Sequence, residues 1–242
     1  MGDMISSEQW DRFESQGYLI LASLLPLPRL AALRDALEER YAQEGPEAGS
    51  EGSDIKGVRR LCNLFGKGRP FEELAVEPVF LEAARRAVGE GFRWQAMNFH
   101  DPVPGDMRPH QPLHADRSFF PDCSAYLNVV IAVDAMTPEN GATRLVPGSH
   151  RRPFPKDALA DPKAAVADET HVSCPAGSAI LLHGDVWHGG RANSSDSTRR
   201  ALHLGYACPA TAPQYDIAGG LDARARRRLG PHCALIPDCP PR

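Results

Sequence analysis

The sequence predicts a mainly β fold, a sandwich or barrel with helices packed on its outside, and three observations predict it. From Phe92 onward, short apolar runs alternate with Pro, Gly, Asn and Asp clusters, which is how antiparallel strands joined by turns read in sequence. Before Phe92 the apolar residues recur at helical spacing instead. No internal repeat and no linker interrupts the 242 residues, so the chain reads as one domain: a mainly helical part over 1–90, a β core over 91–210 and a tail over 211–242.

Taken in order, Ser6 and Ser7 stand before Glu8 and Gln9, a capping pattern, and Trp10 and Phe13 supply the stripe of a short first helix. Tyr18 to Leu21 follows as a strand. Residues 24–43 form a second helix, with Pro28 tolerated in its first turn and Leu30, Leu33 and Leu37 on one face. Residues 44–57 hold too many Gly, Ser and acidic side chains to pack and are expected to be a loop. A third helix is expected over 70–89. Strands are expected over 92–99, 111–116, 126–134, 143–147, 169–173, 178–183 and 201–208, with PENG at 138–141 as a turn.

Composition narrows the function. Hydrophobic residues at 42% and charged residues at 24% are ordinary globular usage, which excludes a disordered or coiled-coil chain. A net charge of -4 gives no global attraction to nucleic acid or to an anionic membrane, so the expected partner is a small molecule. The first twenty residues lack a basic region followed by an apolar one, and no stretch is long and apolar enough to span a bilayer. Six cysteines, at 62, 123, 174, 208, 233 and 239, include no CxxC and are expected to be reduced, as in the cytoplasm; Cys233 and Cys239 are near enough in sequence to pair.

Two places combine ligand-type side chains with strand context. In QPLHADRSFF, His114 and Asp116 are two residues apart and share one strand face. His188 follows a second strand and precedes a Gly-Gly turn. Two imidazoles and one carboxylate on adjacent strands make a facial triad with three open positions for non-haem Fe(II). A zinc hydrolase uses a similar set.

Further along, Asn193 and Arg199 follow His188 at five and eleven residues, and DAMTPENGATRLVPGSH at 134–150 lies between the two motifs. Together with WDRFESQGYLILASLLPLPRLAAL near the N-terminus, this ordered set resembles the phytanoyl-CoA dioxygenase family of Fe(II)- and 2-oxoglutarate-dependent oxygenases. The zinc reading leaves Asn193 and Arg199 unexplained. The resemblance covers most of the chain apart from 45–70 and the part after 210. It implies a double-stranded β-helix, a cupin-like jelly roll, with the metal at one open end. By matching motif positions, His114, Asp116 and His188 would be the catalytic iron ligands, and Arg199 would bind the distal carboxylate of 2-oxoglutarate, with O2 as the second cosubstrate. Arg200 is its competitor, but neighbours on a strand face opposite ways, and the family's spacing selects Arg199.

Gln111 and Thr143 are lesser candidates for cosubstrate contacts, with Asn98 and Asn128 behind them; a buried Asn or Thr satisfying backbone is the competing reading. Arg117, Phe119, Trp187 and His203 are candidates to touch substrate, and His100 is a further pocket candidate. Core packing accounts equally for the aromatics, and a surface ion pair for Arg117. The family includes acyl-CoA hydroxylases, compatible-solute hydroxylases and bacterial tailoring enzymes. No concentrated basic stretch near the motifs suggests a CoA phosphate site, so a polar metabolite, saccharide-containing or glycosylated, is the expected substrate. Asp116 stands where related halogenases carry a small residue, which disfavours halogenation. A catalytically silent 2-oxoglutarate-binding protein on the same scaffold is the alternative from another class. Segments 44–57 and 101–110 flank the expected open end and are expected to act as lids.

Overall fold

The computed structural model describes residues 3–52, 56–107, 111–155 and 166–236. In chain order its elements are α1 (Ser7–Gln16), β1 (Tyr18–Leu21), α2 (Leu27–Glu44), β2 (Val58–Leu61), α3 (Arg69–Ala75), α4 (Pro78–Val88), β3 (Arg93–Pro102), β4 (Gln111–His114), β5 (Tyr126–Ala132), β6 (Thr143–Leu145), β7 (Thr170–His171), β8 (Ala179–His183), β9 (His188–Gly190), β10 (Ala201–Ala207) and α5 (Ala223–Leu229).

The first helix starts where its cap predicts: the Ser6 hydroxyl accepts from the Gln9 amide, and the Gln9 side chain accepts from the Ser6 amide. Leu30, Leu33 and Leu37 of α2 are all buried. Instead of one helix over 70–89, the chain forms α3 and α4. Pro78 disfavours helical backbone at the residue before it, and Glu77 adopts φ -58°, ψ 120°, so the first helix ends and a second begins with the proline in its first turn.

The stretch after α2 also departs from expectation. Gly49 and Gly52 lie so close to β2 that an added Cβ would sit 2.8 Å from Arg60 Cβ and 2.8 Å from Cys62 Sγ respectively. Lys67 ties Glu44 and Glu51 together. The absence of side chains lets this stretch pack. Residues 53–55 of the first expected lid and 108–110 of the second lie outside the described residues, as does Cys239.

Among the described residues ten strands form two antiparallel sheets, ordered β1-β8-β5-β10-β3-β2 and β4-β9-β6-β7, the jelly roll expected from the sequence. Both faces of the larger sheet are buried. One face carries Leu19, Leu181, Leu127, Val129, Ile131, Leu202, Leu204, Met97 and Phe99, packed with Phe13, Leu30, Leu33, Leu37 and Phe80 of the helices. The other carries Val130, Ala132, Ile180, Leu182 and Ala201, facing Leu145 of the smaller sheet. Toward β3 and β2 that inner face turns polar. The register puts Asn98 opposite His203 and His100 opposite both Ala201 and Arg60. This polar end of a largely apolar interior carries His203, which lies in the fields of Arg199, Asp116, His188 and His114.

Candidate metal centre

Strand β4 ends at His114, earlier than the expected 111–116. Ala115 remains extended, and Asp116 opens a short 3₁₀ turn through Phe119. The i, i+2 relation survives because the intervening residue stays extended. His188 stands on β9, a strand the sequence reading placed only as a strand end, and is paired directly opposite His114. One register pair therefore carries both imidazoles.

His114 Nε2 lies 3.4 Å from Asp116 Oδ1, and His188 Nε2 lies 3.5 Å from Asp116 Oδ2. The three potential ligand atoms all fall within 4.8 Å of one another. Each imidazole turns its Nδ1 to a backbone carbonyl at 3.0 Å, Pro112 for His114 and Val186 for His188. Those carbonyls fix each Nδ1 as a donor and leave both Nε2 atoms facing Asp116, where a protonated Nε2 donates to the carboxylate and a deprotonated one offers its lone pair to a cation. Metal–ligand bonds of about 2.1 Å at right angles separate the donors by ~3 Å, so this donor set fits a divalent cation with small adjustments.

The electrostatics agree with a built cation site. Burial alone would raise the Asp116 carboxyl, but the field of His188 and hydrogen bonds from His114 and Asn128 hold it well below the usual carboxylate range. Burial opposes a charged His114, yet Asp116 outweighs it and holds that imidazole above its ordinary value, whereas burial keeps His188 below.

Asn128 on β5 donates from Nδ2 to Asp116 Oδ2 at 2.9 Å. Loss of such an outer partner typically costs 10–100-fold in metal affinity. Asn128→Ala is expected to weaken Fe(II) binding by ~10-fold or more with the fold intact, read by anaerobic metal titration alongside circular dichroism. Arg117 donates from Nε to both oxygens of Asp185, at 2.7 and 2.8 Å, and so clamps the turn bearing Asp116 to the loop before β9.

Arg199 is 1% exposed and donates from Nη2 to the Gly141 carbonyl at 2.7 Å, toward the smaller sheet. Its backbone amide donates to Asp101 Oδ1, and Asp101 Oδ2 in turn accepts from Arg59. Burial pushes the Arg199 guanidinium down to about 10, which leaves it charged at neutral pH. Arg200 faces the other way, onto Asp134 and Glu38. Asn193 braces the loop between β9 and Arg199, donating to the Pro102 and Ser197 carbonyls.

Gln111 and Thr143 lie on either side of Gly190, each paired with it in the register. Phe119 is 64% exposed, its ring 5.5 Å from that of His114. Trp187 is turned away from the pocket. As the neighbour of His188 it points to the opposite face, among Leu113, Val146 and Phe154, with Arg152 over its ring. His203 is on the inner face, its ring 4.7 Å from that of His100. Arg60 donates from Nε to His100 Nε2 at 3.2 Å.

Sequence reasoning missed Asp101 on β3 and Asp185 in the turn before β9, which position Arg199 and Arg117, together with Tyr126, which lies in the field of Asp116, and Tyr215, which meets Asn98. An added Cβ at Gly205 would collide with the Tyr126 hydroxyl, so that glycine makes room for the tyrosine between the sheets. The alternation of Tyr126 with Asn128 was the available signal. Among the described residues, no helix is long and apolar enough to cross a membrane.

The sequence profile of the phytanoyl-CoA dioxygenase (PhyH) family matches residues 13–201. The chain is 29% identical over 202 residues to the Fe(II)/2-oxoglutarate-dependent dioxygenase nvfF of Aspergillus novofumigatus, covering 74% of this chain and 64% of that one. Among solved structures it resembles the non-heme alpha-ketoglutarate-dependent carbocyclase SnoK from nogalamycin biosynthesis, with a TM-score of 0.72, 24% identity and 87% of each chain covered. HygX from Streptomyces hygroscopicus, with nickel, 2-oxoglutarate and hygromycin B bound, is similar at a TM-score of 0.67 and 17% identity, over 84% of this chain and 87% of that one.

Proposed function

The chain belongs to the phytanoyl-CoA dioxygenase family and is an Fe(II)/2-oxoglutarate-dependent dioxygenase, and on that premise we propose that it oxidises an unactivated C–H bond of a small polar metabolite, by hydroxylation or oxidative cyclisation, in natural-product tailoring. The observation that carries the site reading is the convergence of His114, Asp116 and His188 at one end of the roll, with both Nε2 atoms facing the carboxylate.

In this reading the three side chains hold Fe(II) and leave three positions open. When bound, iron with 2-oxoglutarate and O2 supplies the oxidising power, with succinate and carbon dioxide as coproducts. Arg199 binds the distal carboxylate of the cosubstrate; a planar, permanently charged guanidinium in a dry pocket suits a bidentate partner. Gln111 and Thr143 contact the cosubstrate from either side of Gly190. Asn128 steadies Asp116, and the two carbonyls at Pro112 and Val186 hold each Nδ1–H so that Nε2 is the metal-facing nitrogen. Phe119 at the mouth and Arg117 beside Asp116 border the substrate's approach.

The buried polar side chains of Asn98 and His100 support a hydroxyl-rich substrate, with a saccharide-containing metabolite preferred over an acyl chain. The chain works as one catalytic unit: the 1–90 part backs the roll with its helices and adds β1 and β2 to the larger sheet, and α5 closes on α3 through Arg228 and Glu72. Free thiols at 62, 123, 174, 208 and 233 suit a reducing cytoplasm.

The test is anaerobic Fe(II) loading followed by succinate measurement with and without candidate metabolites. Stoichiometric iron and succinate formation stimulated by polar natural-product scaffolds are expected. Stimulation by acyl-CoA thioesters alone would replace the substrate reading, and failure to bind iron would remove the site.

A further inference from the structure

The register of β10 says more about the cosubstrate site than the ligands alone. Ala201, His203 and Gly205 share the inner face, opposite Ala132, Val130 and Asn128 of β5. Asn128 holds Asp116, so Gly205 marks the level of the metal centre. Arg199 lies at the other end, just before the strand. His203 therefore stands between them, two residues (~7 Å) from the metal level and four (~13 Å) from Arg199 along the strand.

A diacid held at one end by the metal centre and at the other by the Arg199 guanidinium would lie along the inner face that carries His203. The ring is near enough to both ends to lie in the fields of Arg199, Asp116, His188 and His114. Its Nε2 is out of contact with solvent and has no hydrogen-bond partner among the described residues. A buried ring nitrogen left this way costs free energy unless a bound molecule satisfies it.

We infer that His203 is a cosubstrate-binding residue, its neutral imidazole hydrogen-bonding an oxygen of 2-oxoglutarate between the metal centre and Arg199. This rests on the metal-site reading above and reassigns His203 from substrate to cosubstrate. Burial and the field of Arg199 together lower the imidazole to about 3, so the ring is neutral across the working range and can offer Nε2–H to an anionic oxygen.

The experiment is an anaerobic titration of the Fe(II)-loaded protein with 2-oxoglutarate, followed by the visible charge-transfer band of the chelate. His203→Ala is expected to weaken 2-oxoglutarate affinity by about 10-fold or more, as loss of a hydrogen bond to a charged group does, with Fe(II) affinity unchanged. His203→Gln, which keeps a donor and guards against a misfolded alanine variant, is expected to recover most of the loss. A wild-type band with unchanged 2-oxoglutarate affinity in both variants overturns the inference alone. Absence of the band in the wild type overturns the metal-site reading and the inference with it.

A different observation stands apart from that site. Cys123, seven residues beyond Asp116, and Cys208, just past β10, bring their sulfurs to 3.8 Å across 85 residues of chain. Cys208 Sγ also meets Thr211 Oγ1 at 3.1 Å. Burial alone would raise the Cys208 thiol, but hydrogen bonds from Thr211, Ser124 and Cys123 bring it below its ordinary value.

The geometry points to Cys123 and Cys208 as a reversible dithiol that hydrogen peroxide converts to a disulfide, pinning the segment that carries Asp116 to the end of β10. The Cys208 thiolate attacks one peroxide oxygen, the O–O bond breaks, and hydroxide departs as water with the thiol's proton. The resulting sulfenic sulfur is attacked by Cys123, its S–O bond breaks, and a second water leaves. Two thiols lose two electrons and one peroxide gains them.

The metal-free protein, treated with peroxide and then alkylated after denaturation, is expected to yield a Cys123–Cys208 linked peptide about 2 Da lighter than the two thiol peptides together, reversible by reductant. Cys62 and Cys174 are expected to remain alkylated. In Cys123→Ser, Cys208 is expected to stop at a sulfenic acid trapped by dimedone. Separate alkylation of Cys123 and Cys208 while other thiols oxidise, or linkage to a different cysteine, overturns the assignment.

Discussion

Asp116→Ala is expected to lower Fe(II) affinity by more than ~100-fold and to abolish cosubstrate-dependent turnover. Removing an outer hydrogen-bond partner costs 10–100-fold, and Asp116 is placed to be a ligand itself, the sole carboxylate in the triad. Its loss also removes the charge that raises His114 and leaves Asn128 Nδ2 without its acceptor. Protons compete with iron for the Nε2 atoms. Fe(II) affinity of the wild type is therefore expected to fall as pH drops through the raised His114 value, and in the alanine variant the remaining dependence moves to lower pH. Anaerobic metal titration across pH measures both effects. Iron affinity indifferent to the substitution would exclude the triad.

Arg199→Ala is expected to raise the apparent KM for 2-oxoglutarate by ~100-fold, corresponding to about 3 kcal/mol for leaving a buried carboxylate without its charged partner. Fe(II) affinity should stay within ~2-fold, because Arg199 contacts Gly141 and Asp101 and makes no bond to the triad. Arg199→Lys is expected to fall between, since an ammonium keeps the charge and loses the planar fork. Arg200→Ala removes a partly exposed pair with Asp134 and Glu38, and is expected to change KM by less than ~3-fold while costing about 1 kcal/mol of stability. Steady-state kinetics with varied 2-oxoglutarate, beside thermal melts, separates the two arginines. Equal effects on KM would mean that the cosubstrate contact has been assigned to the wrong residue.

Helices α1 and α2 and most strands were legible because their signals are local. The Ser6–Gln9 box, the Leu30, Leu33, Leu37 stripe and the apolar run of β5 state their own periodicity. Strands β2 and β9 were not legible. VRRL carries two arginines, and HGG is three residues with two glycines, so neither has a propensity to announce it; each exists because a partner strand offers hydrogen bonds. The 44–57 stretch misled for a related reason. Gly49 and Gly52 read in sequence as part of a loop too poor in apolar side chains to pack, whereas in the fold they are where backbone approaches Arg60 and Cys62. Trp187 shows the limit of adjacency: one residue from His188 along the chain, it lies on the opposite face of the sheet.

The sequence by itself determined the donor types, their spacing and their order: His114 and Asp116 two apart, His188 on a later strand, and Arg199 eleven beyond it. Strand alternation and ligand chemistry act over a few residues and need no knowledge of the rest of the chain. Tertiary structure alone decided which carbonyls set the imidazole protons, that Asn128 steadies Asp116, that Asp101 and Asp185 anchor the surrounding loops, and that His203 lies between the metal level and Arg199. Each of these depends on which strands pair and in what register, an outcome settled by burying both faces of the larger sheet at once.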